Sequence, residues 1–583
     1  CGSDVVLNAS AYQHQGLVTK VPHIVFLRNE PKAKLDIIGE RLAQYAALNL
    51  PDELKTISSS QIRDYIDDNR DISSLIDPLA QEYIYDNGFY QKTPIEKQLV
   101  KYKNLQLTIE TKYSREVETI LAPLIHHEPR LPALIRSTLR KPSCRIMLLR
   151  DFDQDILVGF ALVHWTKTDM YFHEIRNVSF ADKLRHTSLG RLATVDYAWV
   201  GALDKTRDYH QILLTEALTH LIAADYEYCL YNPKLPVNDP EFGKTLSRFN
   251  FTNFSDQGRS LYIVNMTTPI VLNLDVENII KEPFRSSQMI HHTVIAARQR
   301  LQAALGELFS GNLVIPMEPL MLHQAMIRKI TAENKVPSVQ TIPKALGPYM
   351  CVPYGDLLDD NLVPNTVTKS LHTEKYYDSD LANFTIRELP FYLNLKNQVK
   401  TIGSFNRDLI LVDTITHRGY RMNALNPLLR QENLKVRKII SGIVSARGRD
   451  LMETWGYNID SVYYFPRLKA WFNENQLYPF LGGDALWRGH FPERNLLPSI
   501  NLIMPYTAPS FLSDQPKEAL YNLSIICHEN TLDIFRAIEQ EYNRIHARKM
   551  TLMNLGQVIT VPRSVDIGEG VAYDLTQSPS TYV

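Results

Sequence analysis

The stretch DLILVDTITHRGYR, residues 408–421, sets the expectation for the fold around it. Leu409 to Val412 form an apolar run typical of a buried parallel strand, and Asp413 follows at once, before a polar turn that ends at Gly419. Open α/β sheets bind ligands beyond the carboxyl ends of their strands, where N–H groups of the turn and the next helix hold a phosphate. The stretch therefore predicts a phosphate-binding crevice, and the alternative is an ordinary buried strand that ends in a polar turn.

The same order of residues resembles the PRPP-binding signature of type I phosphoribosyltransferases. That family places two consecutive acids on the ribose hydroxyls of PRPP and a Thr- and Gly-rich turn around its 5′-phosphate. Here Asp413 matches the first acid, and Thr414 stands at the position of the second. The resemblance implies that Asp413 is a catalytic residue and that Mg²⁺ arrives bound to PRPP oxygens. The predicted ligand-binding residues that follow this acid are Thr414, Thr416, Arg418, Gly419 and Arg421. The two arginines stand where the family has small hydroxyl residues, and their charge would strengthen anion binding.

Segments on both sides of this stretch predict a parallel α/β domain over residues 271–487. A strand at 312–316 and a helix at 320–334 form a βα unit, and a further apolar strand is predicted from Val436 to Val444. This succession is the one that a phosphoribosyltransferase-like domain would give.

A long polar segment, residues 351–378, precedes the central strand. Loops of this length inside compact domains are usually functional or disordered. In phosphoribosyltransferases a loop at about this position closes over PRPP, so the resemblance implies that Lys369 and His372 bring catalytic positive charge to the pyrophosphate, with Lys375 nearby. The alternative is a solvated charged loop.

A second spaced pattern lies between Thr56 and Tyr90, in TISSSQIRDYIDDNRDISSLIDPLAQEYIYDNGFY, after a predicted strand at 23–27 and a predicted helix at 33–47. It resembles the C-terminal half of a nicotinate- or nicotinamide-mononucleotide adenylyltransferase of the HxGH nucleotidyltransferase superfamily. The matching residues are Ile57, Ser58, Ser59, Ser60, Ile62, Arg63, Ile72, Leu75, Ile76, Pro78, Tyr83, Ile84 and Tyr90.

The resemblance implies that hydroxyls and a guanidinium meet the ATP phosphates at a helix N-terminus, where Ser58 can cap the helix. The implied cofactor-binding residues are Ser58, Ser59, Ser60, Arg63 and Asp4. The alternative is a capped surface helix. Because no HxGH motif occurs in this sequence, we expect no adenylyl transfer from these residues. The opening Cys1 and GSDVVLNAS are typical of the interior of a domain, so we expect either upstream residues or a remnant half-domain.

Residues 131–270 are predicted to form another α/β unit, with a hairpin, a helix from Gln211 to Ala224 and a short strand at 228–231. This order resembles a GNAT-type acyltransferase. Arg207 fits the first position of that family's turn for the pyrophosphate of acetyl-CoA, but bulkier residues replace both glycines that let the backbone approach the phosphates. A structural or binding role is therefore favoured over acetyltransferase activity, and acetyl-CoA is the less expected ligand.

Composition limits the class of protein. The 583 residues are enough for several domains, with 44% apolar residues, 22% charged residues and a formal net charge of -1. This balance offers no basic excess for nucleic acid, and no apolar run reaches the roughly 18 residues that a membrane-spanning helix needs. The five cysteines contain no CxxC pair, so neither a disulfide framework nor a metal site is predicted. We therefore expect a cytoplasmic protein without nucleic-acid or membrane partners.

The sequence predicts a multidomain α/β protein that binds nucleotide or ribose-phosphate small molecules. The predicted regions are an adenylyltransferase-like half-domain at 1–92, a helical connector at 93–130, a GNAT-like domain at 131–270, a phosphoribosyltransferase-like domain at 271–487 and an extended and helical extension at 488–583. Pairing adenylyl with phosphoribosyl chemistry indicates a transferase of nucleotide metabolism, with pyridine nucleotides as the nearest analogy. The alternative is a non-enzymatic nucleotide-binding or regulatory protein made of degenerate transferase folds.

Overall fold

The computed structural model shows a multidomain α/β protein with mixed and parallel sheets. The chain divides into two compact units, Cys1–Thr93 with Phe391–Ser404, and Pro94–Pro390 with Phe405–Val583. Across the described ranges, no helix combines the length and the apolar character needed to cross a membrane. The structure describes residues 2–14, 16–28, 32–50, 55, 57–67, 75–76, 80, 83–84, 89–90, 104–175, 177–201, 207–236, 239–254, 261–341, 345–355, 363–379, 381, 383–389, 392–487, 489, 497–500, 512, 514–560, 562–565 and 573–583.

The smaller unit contains a parallel pair of strands. Strand β1 (His23–Leu27) lies where it was predicted and pairs with β2 (Tyr45–Asn49). The helix predicted over 33–47 ends earlier, at Arg41, because the chain turns there and enters β2. The helices of this unit are Ser3–Asn8 (α1), Leu17–Lys20 (α2), Lys32–Arg41 (α3), Ser59–Asp67 (α4) and, farther along the chain, Leu395–Gly403.

The larger unit carries the remaining described strands and helices. Its strands are Leu105–Glu110 (β3), Arg145–Asp151 (β4), Ile156–Thr166 (β5), Leu192–Val200 (β6), Tyr228–Tyr231 (β7), Thr252–Asn253 (β8), Tyr262–Asn273 (β9), Asn312–Met317 (β10), Met350–Pro353 (β11), Val367–Thr368 (β12), Thr373–Tyr377 (β13), Phe384–Glu388 (β14), Leu409–Thr416 (β15), Val436–Ser445 (β16), Ile459–Phe465 (β17), Ala470–Asn473 (β18), Asp484–Leu486 (β19), Leu497–Ile500 (β20) and Arg563–Val565 (β21). Its helices are Arg115–His127 (α5), Leu131–Thr138 (α6), Tyr171–Ile175 (α7), Val178–Thr187 (α8), Tyr209–Ala223 (α9), Pro240–Arg248 (α10), Val276–Ile279 (α11), Gln288–Leu308 (α12), Pro319–Glu333 (α13), Tyr420–Gln431 (α14), Ala446–Thr454 (α15) and Lys517–His546 (α16).

Nine described strands form one mixed sheet in the order β10-β9-β7-β6-β5-β4-β3, with β8 and β18 also paired to β9. The strands from β3 to β6 are antiparallel, β6 and β7 are parallel, and β9 runs parallel to β10 and β18. The region 93–130, predicted as a helical connector, therefore contains strand β3 of this sheet. Leu105, Leu107 and Ile109 alternate with the period of a strand, which their charged surroundings obscured. The boundary predicted between 270 and 271 falls inside β9.

Five described strands form a second sheet, entirely parallel, in the order β12-β11-β15-β16-β17. Strand β15 is the apolar run predicted from the sequence, and Leu409 to Val412 are fully buried. Strand β12 lies on one side of β11, and β15 lies on the other. Such a reversal of strand order opens a crevice at the carboxyl ends of the two central strands. This is the position of Asp413.

A third group of strands, the cover sheet, has the order β14-β13-β19-β20-β21. Helix α16 packs along α12, where Arg300 Nη2 donates to Asp533 Oδ2 over 2.7 Å and Asn530 Nδ2 donates to the Ala297 carbonyl over 2.9 Å. The predicted C-terminal helix is thus present. It ends at His546, since Ala547 adopts a left-handed conformation with φ of 52°.

Candidate functional site

The β15 loop is the name given to residues 413–421, which comprise the last four residues of β15, the turn 417–419 and the first two residues of helix α14. Gly419 closes it with φ of 67°, a conformation that glycine adopts without steric cost. A Cβ at this position would lie 2.7 Å from Leu451 Cδ2 and 2.9 Å from Met452 Cε, so space as well as conformation favours glycine. Helix α14 begins directly afterwards at Tyr420. Its first-turn N–H groups therefore lie at the end of the loop and are the kind of donors that bind anions.

The β15 loop forms one wall of a cavity of about 870 Å³. This volume lies within the range of about 300 to 1,000 Å³ that ligand pockets occupy. The cover sheet and the region of β18 supply the other walls. The lining residues of these two walls include Thr373, Glu374, Lys375, Tyr377, Phe384, Ile386, Asp484, Lys469, Trp471, Asn473 and Gln476.

Asp413 and Arg421 form an ion pair inside this cavity. Arg421 Nη1 donates to Asp413 Oδ1 over 2.5 Å. Burial raises the pKa of the Asp413 carboxyl, and Arg421 together with the backbone N–H groups of Thr414 and Ile415 offsets part of this effect. The Arg421 guanidinium lies 4.9 Å from the centroid of the Tyr354 ring, within the range of a cation–π interaction. An acid, an arginine and an aromatic ring thus meet at the switch point.

His417 lines the same wall. Its Nδ1 lies 2.7 Å from Ser445 Oγ, and that oxygen also accepts a hydrogen bond from the Gly448 N–H at the start of α15. Burial, followed by the charges of Arg418 and Arg447, lowers the pKa of His417. The imidazole is therefore neutral near pH 7 and can offer a hydrogen bond without adding charge. The sequence did not single out His417, although it lies within residues 408–421, and it did not indicate that Tyr354 lines the cavity.

The cover sheet presents aromatic surfaces and a charged pair to the cavity. Lys375 Nζ lies 4.3 Å from the Tyr377 ring centroid and 4.6 Å from that of Phe384. Burial disfavours its charge, but the Asp484 carboxylate, 3.8 Å away, together with Tyr377 and Glu374 outweighs burial, so the pKa of Lys375 is raised. Phe384 and Tyr420 meet edge to face with ring centroids 4.8 Å apart. This wall can accommodate a flat ring beside hydrogen-bonding groups.

Some of the predicted ligand residues line the cavity, and others do not. Lys369 and His372 are 3% and 6% exposed, and neither belongs to the lining of the cavity. The predicted polar loop is partly a structured segment, since β12 pairs with β11 and Lys369 N donates to the Cys351 carbonyl over 3.0 Å. Residues 356–362 of this segment lie outside the described residues. The predicted residues that do line the cavity are Asp413, Thr414, Thr416, Arg418, Gly419 and Arg421, together with Lys375.

The residues predicted to contact ATP belong to the smaller unit. Ser58 Oγ accepts a hydrogen bond from the Gln61 N–H over 3.1 Å, so it caps α4, which begins at Ser59. Arg63 Nη2 donates to Ser60 Oγ over 3.3 Å. Asp4 Oδ1 lies 3.4 Å from Arg28 Nε. The predicted cap is present, and contact with ATP stays a prediction. Two residues of the matched pattern, Ile72 and Pro78, lie outside the described residues.

The turn before α9 is the one predicted to correspond to an acyl-CoA loop. Asp208 Oδ1 caps α9 by accepting from the Gln211 N–H over 3.0 Å, and Arg248 donates to Asp208 Oδ2 over 2.6 Å. Arg207 lies 3.8 Å from Glu318 Oε1. Residues 202–206 of the turn lie outside the described residues. The N-terminus of α9 is therefore already paired with a carboxylate of the protein itself, which would compete with a phosphate.

Comparison with known proteins adds little to these observations. No protein family and no curated protein matches the chain. Part of the chain is similar to an agmatine N-acetyltransferase variant in its apo form, with a TM-score of 0.20, 9% identity, and coverage of 28% of this chain and 100% of that one. It is similar to a putative phosphinothricin N-acetyltransferase, with a TM-score of 0.20, 12% identity, and coverage of 27% and 96%. A GNAT-family acetyltransferase from Listeria monocytogenes 4b F2365 gives a TM-score of 0.21, 9% identity, and coverage of 29% and 99%. These scores are too low to carry a functional conclusion.

Proposed function

We propose that the cavity beside the β15 loop binds PRPP with Mg²⁺, and that the protein is a phosphoribosyltransferase-type transferase of nucleotide metabolism. The observation that carries this proposal is the cavity of about 870 Å³ at the carboxyl ends of β11 and β15. It combines a buried acid, Asp413, with the arginines Arg418 and Arg421 and the start of a helix. This is where parallel α/β sheets bind phosphorylated ligands.

Each group of residues has a role in the proposed reaction. Asp413 accepts hydrogen bonds from the ribose hydroxyls, and the β15 loop with Arg418 and Arg421 binds the 5′-phosphate. The aromatic wall formed by Tyr377 and Phe384 holds a flat acceptor. In the transfer step, the bond between ribose C1 and the diphosphate oxygen breaks and the diphosphate leaves with the bonding pair. A ring nitrogen of the acceptor forms the new bond to C1 with its lone pair, and any proton on that nitrogen passes to water. The charge that develops at C1 is stabilised by the nearby carboxylate.

In this proposal Mg²⁺ enters the cavity bound to the diphosphate of PRPP. The described residues contain no group of three or more His, Cys, Asp or Glu side chains that could hold a metal ion. Mg²⁺ binds substrate phosphates with one or two carboxylates and retains several waters. Asp413 is the cavity acid at the switch point and can hydrogen-bond these waters, while the diphosphate oxygens supply the direct ligands.

Calorimetric titration of the full chain with Mg²⁺ and PRPP tests the proposal. Replacing Asp413 by Asn removes a charged hydrogen-bond partner, so the Asp413→Asn variant should lose about 1 to 3 kcal/mol of binding free energy. The matched control is Asp408→Asn, just before the opposite end of the same strand, where the carboxylate lies 3.6 Å from Lys435 Nζ. The control variant should bind PRPP like the native chain.

Two results would contradict the proposal. One is no heat of binding at millimolar PRPP, and the other is an equal loss of affinity in both variants, which would indicate a general effect on the fold.

Binding without transfer is a second candidate function. It is favoured by Thr414 at the position of the second acid and by the Asp413 carboxylate, which already rests on Arg421. A sensor of this kind would bind PRPP but release no diphosphate with any acceptor base. Measuring diphosphate release in the presence of purine, pyrimidine and pyridine bases separates the two candidates.

A further inference from the structure

We propose that Tyr354 is a positioning residue for anion binding, and that its ring supports the Arg421 guanidinium while it moves from Asp413 to an anionic group of the ligand. This inference rests on the function proposed for the cavity and adds a residue that the sequence did not indicate. It concerns three side chains that meet where β11 and β15 end.

In the part of the chain that the structure describes, the Arg421 guanidinium does not have an acceptor for every buried N–H group. Its Nη1 donates to Asp413 Oδ1 over 2.5 Å, but its Nε is shielded from solvent and has no hydrogen-bond acceptor among the described residues. A buried N–H without an acceptor is unfavourable and uncommon in native proteins. An anionic ligand oxygen would supply acceptors to the fork of the guanidinium, which binds phosphate groups with two parallel hydrogen bonds. The ion pair with Asp413 is therefore a resting state that a ligand can displace.

Tyr354 has more fixed contacts with the protein than Arg421, whose guanidinium lies against its ring. Its backbone N–H donates to the Val412 carbonyl over 3.0 Å, and its hydroxyl lies 3.8 Å from Met422 Sδ, so it is attached both to β15 and to α14. The residue is 8% exposed, whereas the Arg421 side chain is 36% exposed. The arginine can therefore change its partner while the ring stays in place.

The ring suits this role because a cation–π interaction depends weakly on rotation of the guanidinium within its plane. At 4.9 Å from the ring centroid, the guanidinium keeps this attraction whichever oxygen its N–H groups contact. Asp413 then becomes free to accept hydrogen bonds from the sugar. Movement of Arg421 from Asp413 to the ligand would therefore make the guanidinium available to the anionic group and the carboxylate available to the sugar.

Titration with inorganic pyrophosphate tests the inference, because either of its phosphate groups can occupy the 5′-phosphate position beside Arg421 without the sugar. Tyr354→Leu should weaken pyrophosphate binding by about threefold to thirtyfold, the range that corresponds to a partly desolvated cation–π interaction. Tyr354→Phe keeps the ring and should restore most of the lost affinity. The matched control is Tyr464→Leu, because the Arg449 guanidinium lies 3.8 Å from the Tyr464 ring centroid and Tyr464 does not line the cavity.

A double-variant comparison separates positioning from a general structural effect. When Arg421 is replaced by Met, Tyr354→Leu should cause no further loss of pyrophosphate affinity, since no guanidinium remains for the ring to support. An equal loss in both backgrounds, an equal loss in Tyr464→Leu, or no pyrophosphate binding by the native chain would overturn the inference.

Parallel titrations with PRPP keep the two proposals distinguishable. Tyr354-dependent pyrophosphate binding without PRPP binding would support this inference and contradict the proposed function. PRPP binding combined with pyrophosphate affinity that is independent of Tyr354 would contradict this inference alone.

Discussion

Gly419 adopts a left-handed conformation, and this single residue lets α14 begin at the next residue, Tyr420. Two separate requirements favour glycine at this position, one from the backbone conformation and one from the packing around it. The backbone needs φ of 67°, and the side chains of Leu451 and Met452 occupy the space of a Cβ. We expect loss of this glycine to move the first turn of α14, with the N–H groups proposed to bind an anion, away from Asp413.

We predict that Gly419→Ala destabilises the larger unit and weakens PRPP binding. The left-handed backbone costs about 1 to 2 kcal/mol for a residue with a Cβ, and displacement of packed side chains adds about 1 to 3 kcal/mol. The control is Gly456→Ala, with φ of 82° and no heavy atom within 4 Å of the added Cβ. The denaturant midpoint should fall more for Gly419→Ala than for the control, and equal midpoints would show that the loop is not closely packed.

His323 in α13 provides a prediction about acid stability. Burial lowers its pKa to about 4 in the folded protein, against an ordinary value near 6.5 in the unfolded chain. Between these two values the unfolded state binds a proton that the folded state does not. Stability present above pH 6.5 is therefore lost as the pH falls toward 4, by about 3 kcal/mol in total for this group.

Denaturation curves between pH 7 and pH 4 check this linkage. The variant His323→Gln should lose less stability over this interval than the native chain, whatever its stability at pH 7. The control is His126→Gln, which removes an exposed histidine and leaves His323 in place. An unchanged pH dependence in His323→Gln would contradict the prediction.

At the scale of elements, the sequence predicted those strands best whose side chains form one continuous apolar run. Strands β1 and β7 have the predicted bounds. The buried parallel strand predicted over 409–412 is present as β15, but it is longer than predicted, because pairing with β16 extends it through Asp413 to Thr416. Strand β3 was missed because its alternation is short and lies among charged residues. Pairing between distant segments, such as β18 with β9, leaves no local pattern and could not be predicted.

In the candidate site, too, residues that are contiguous in sequence could be predicted, and residues that only folding brings together could not. The loop residues from Asp413 to Arg421 are contiguous, so one motif sufficed to predict them. Tyr354 and Lys375 reach the cavity from β11 and β13, and only the folded sheets bring them together. Lys369 and His372 were predicted from their residue type and chain position, but both are buried near β12 and neither lines the cavity.

Strand β9 crosses the boundary that the sequence predicted between the domains 131–270 and 271–487, and this leads to a prediction about fragments. A fragment of residues 94–270 would end inside β9 and lose β10 and β18, which flank its second half. We expect this fragment to aggregate through unpaired strand edges. The fragment 94–583 retains all nine described strands and is the control. Gel filtration and circular dichroism of both fragments check this, and a monomeric, cooperatively folded 94–270 would contradict the prediction.

The whole molecule combines two compact units in one chain. The larger unit contains the cavity, and the smaller unit carries the capped helix whose sequence resembles an adenylyltransferase. We propose that both bind ligands of nucleotide metabolism, and the ATP contact of Ser58 to Arg63 remains a prediction. The central claim concerns the cavity of the larger unit, since the sequence predicted a phosphate-binding crevice beyond the carboxyl end of β15.

A crystal structure of the full chain with Mg²⁺ and PRPP would test that claim most directly. We predict density for PRPP at the carboxyl end of β15, with its 5′-phosphate within hydrogen-bond distance of the N–H groups of residues 414–420 and of Arg421. The Asp413 carboxylate should contact the ribose hydroxyls instead of Arg421. PRPP bound at another surface, or a saturated crystal with the Asp413–Arg421 pair intact and the cavity without ligand, would contradict the account.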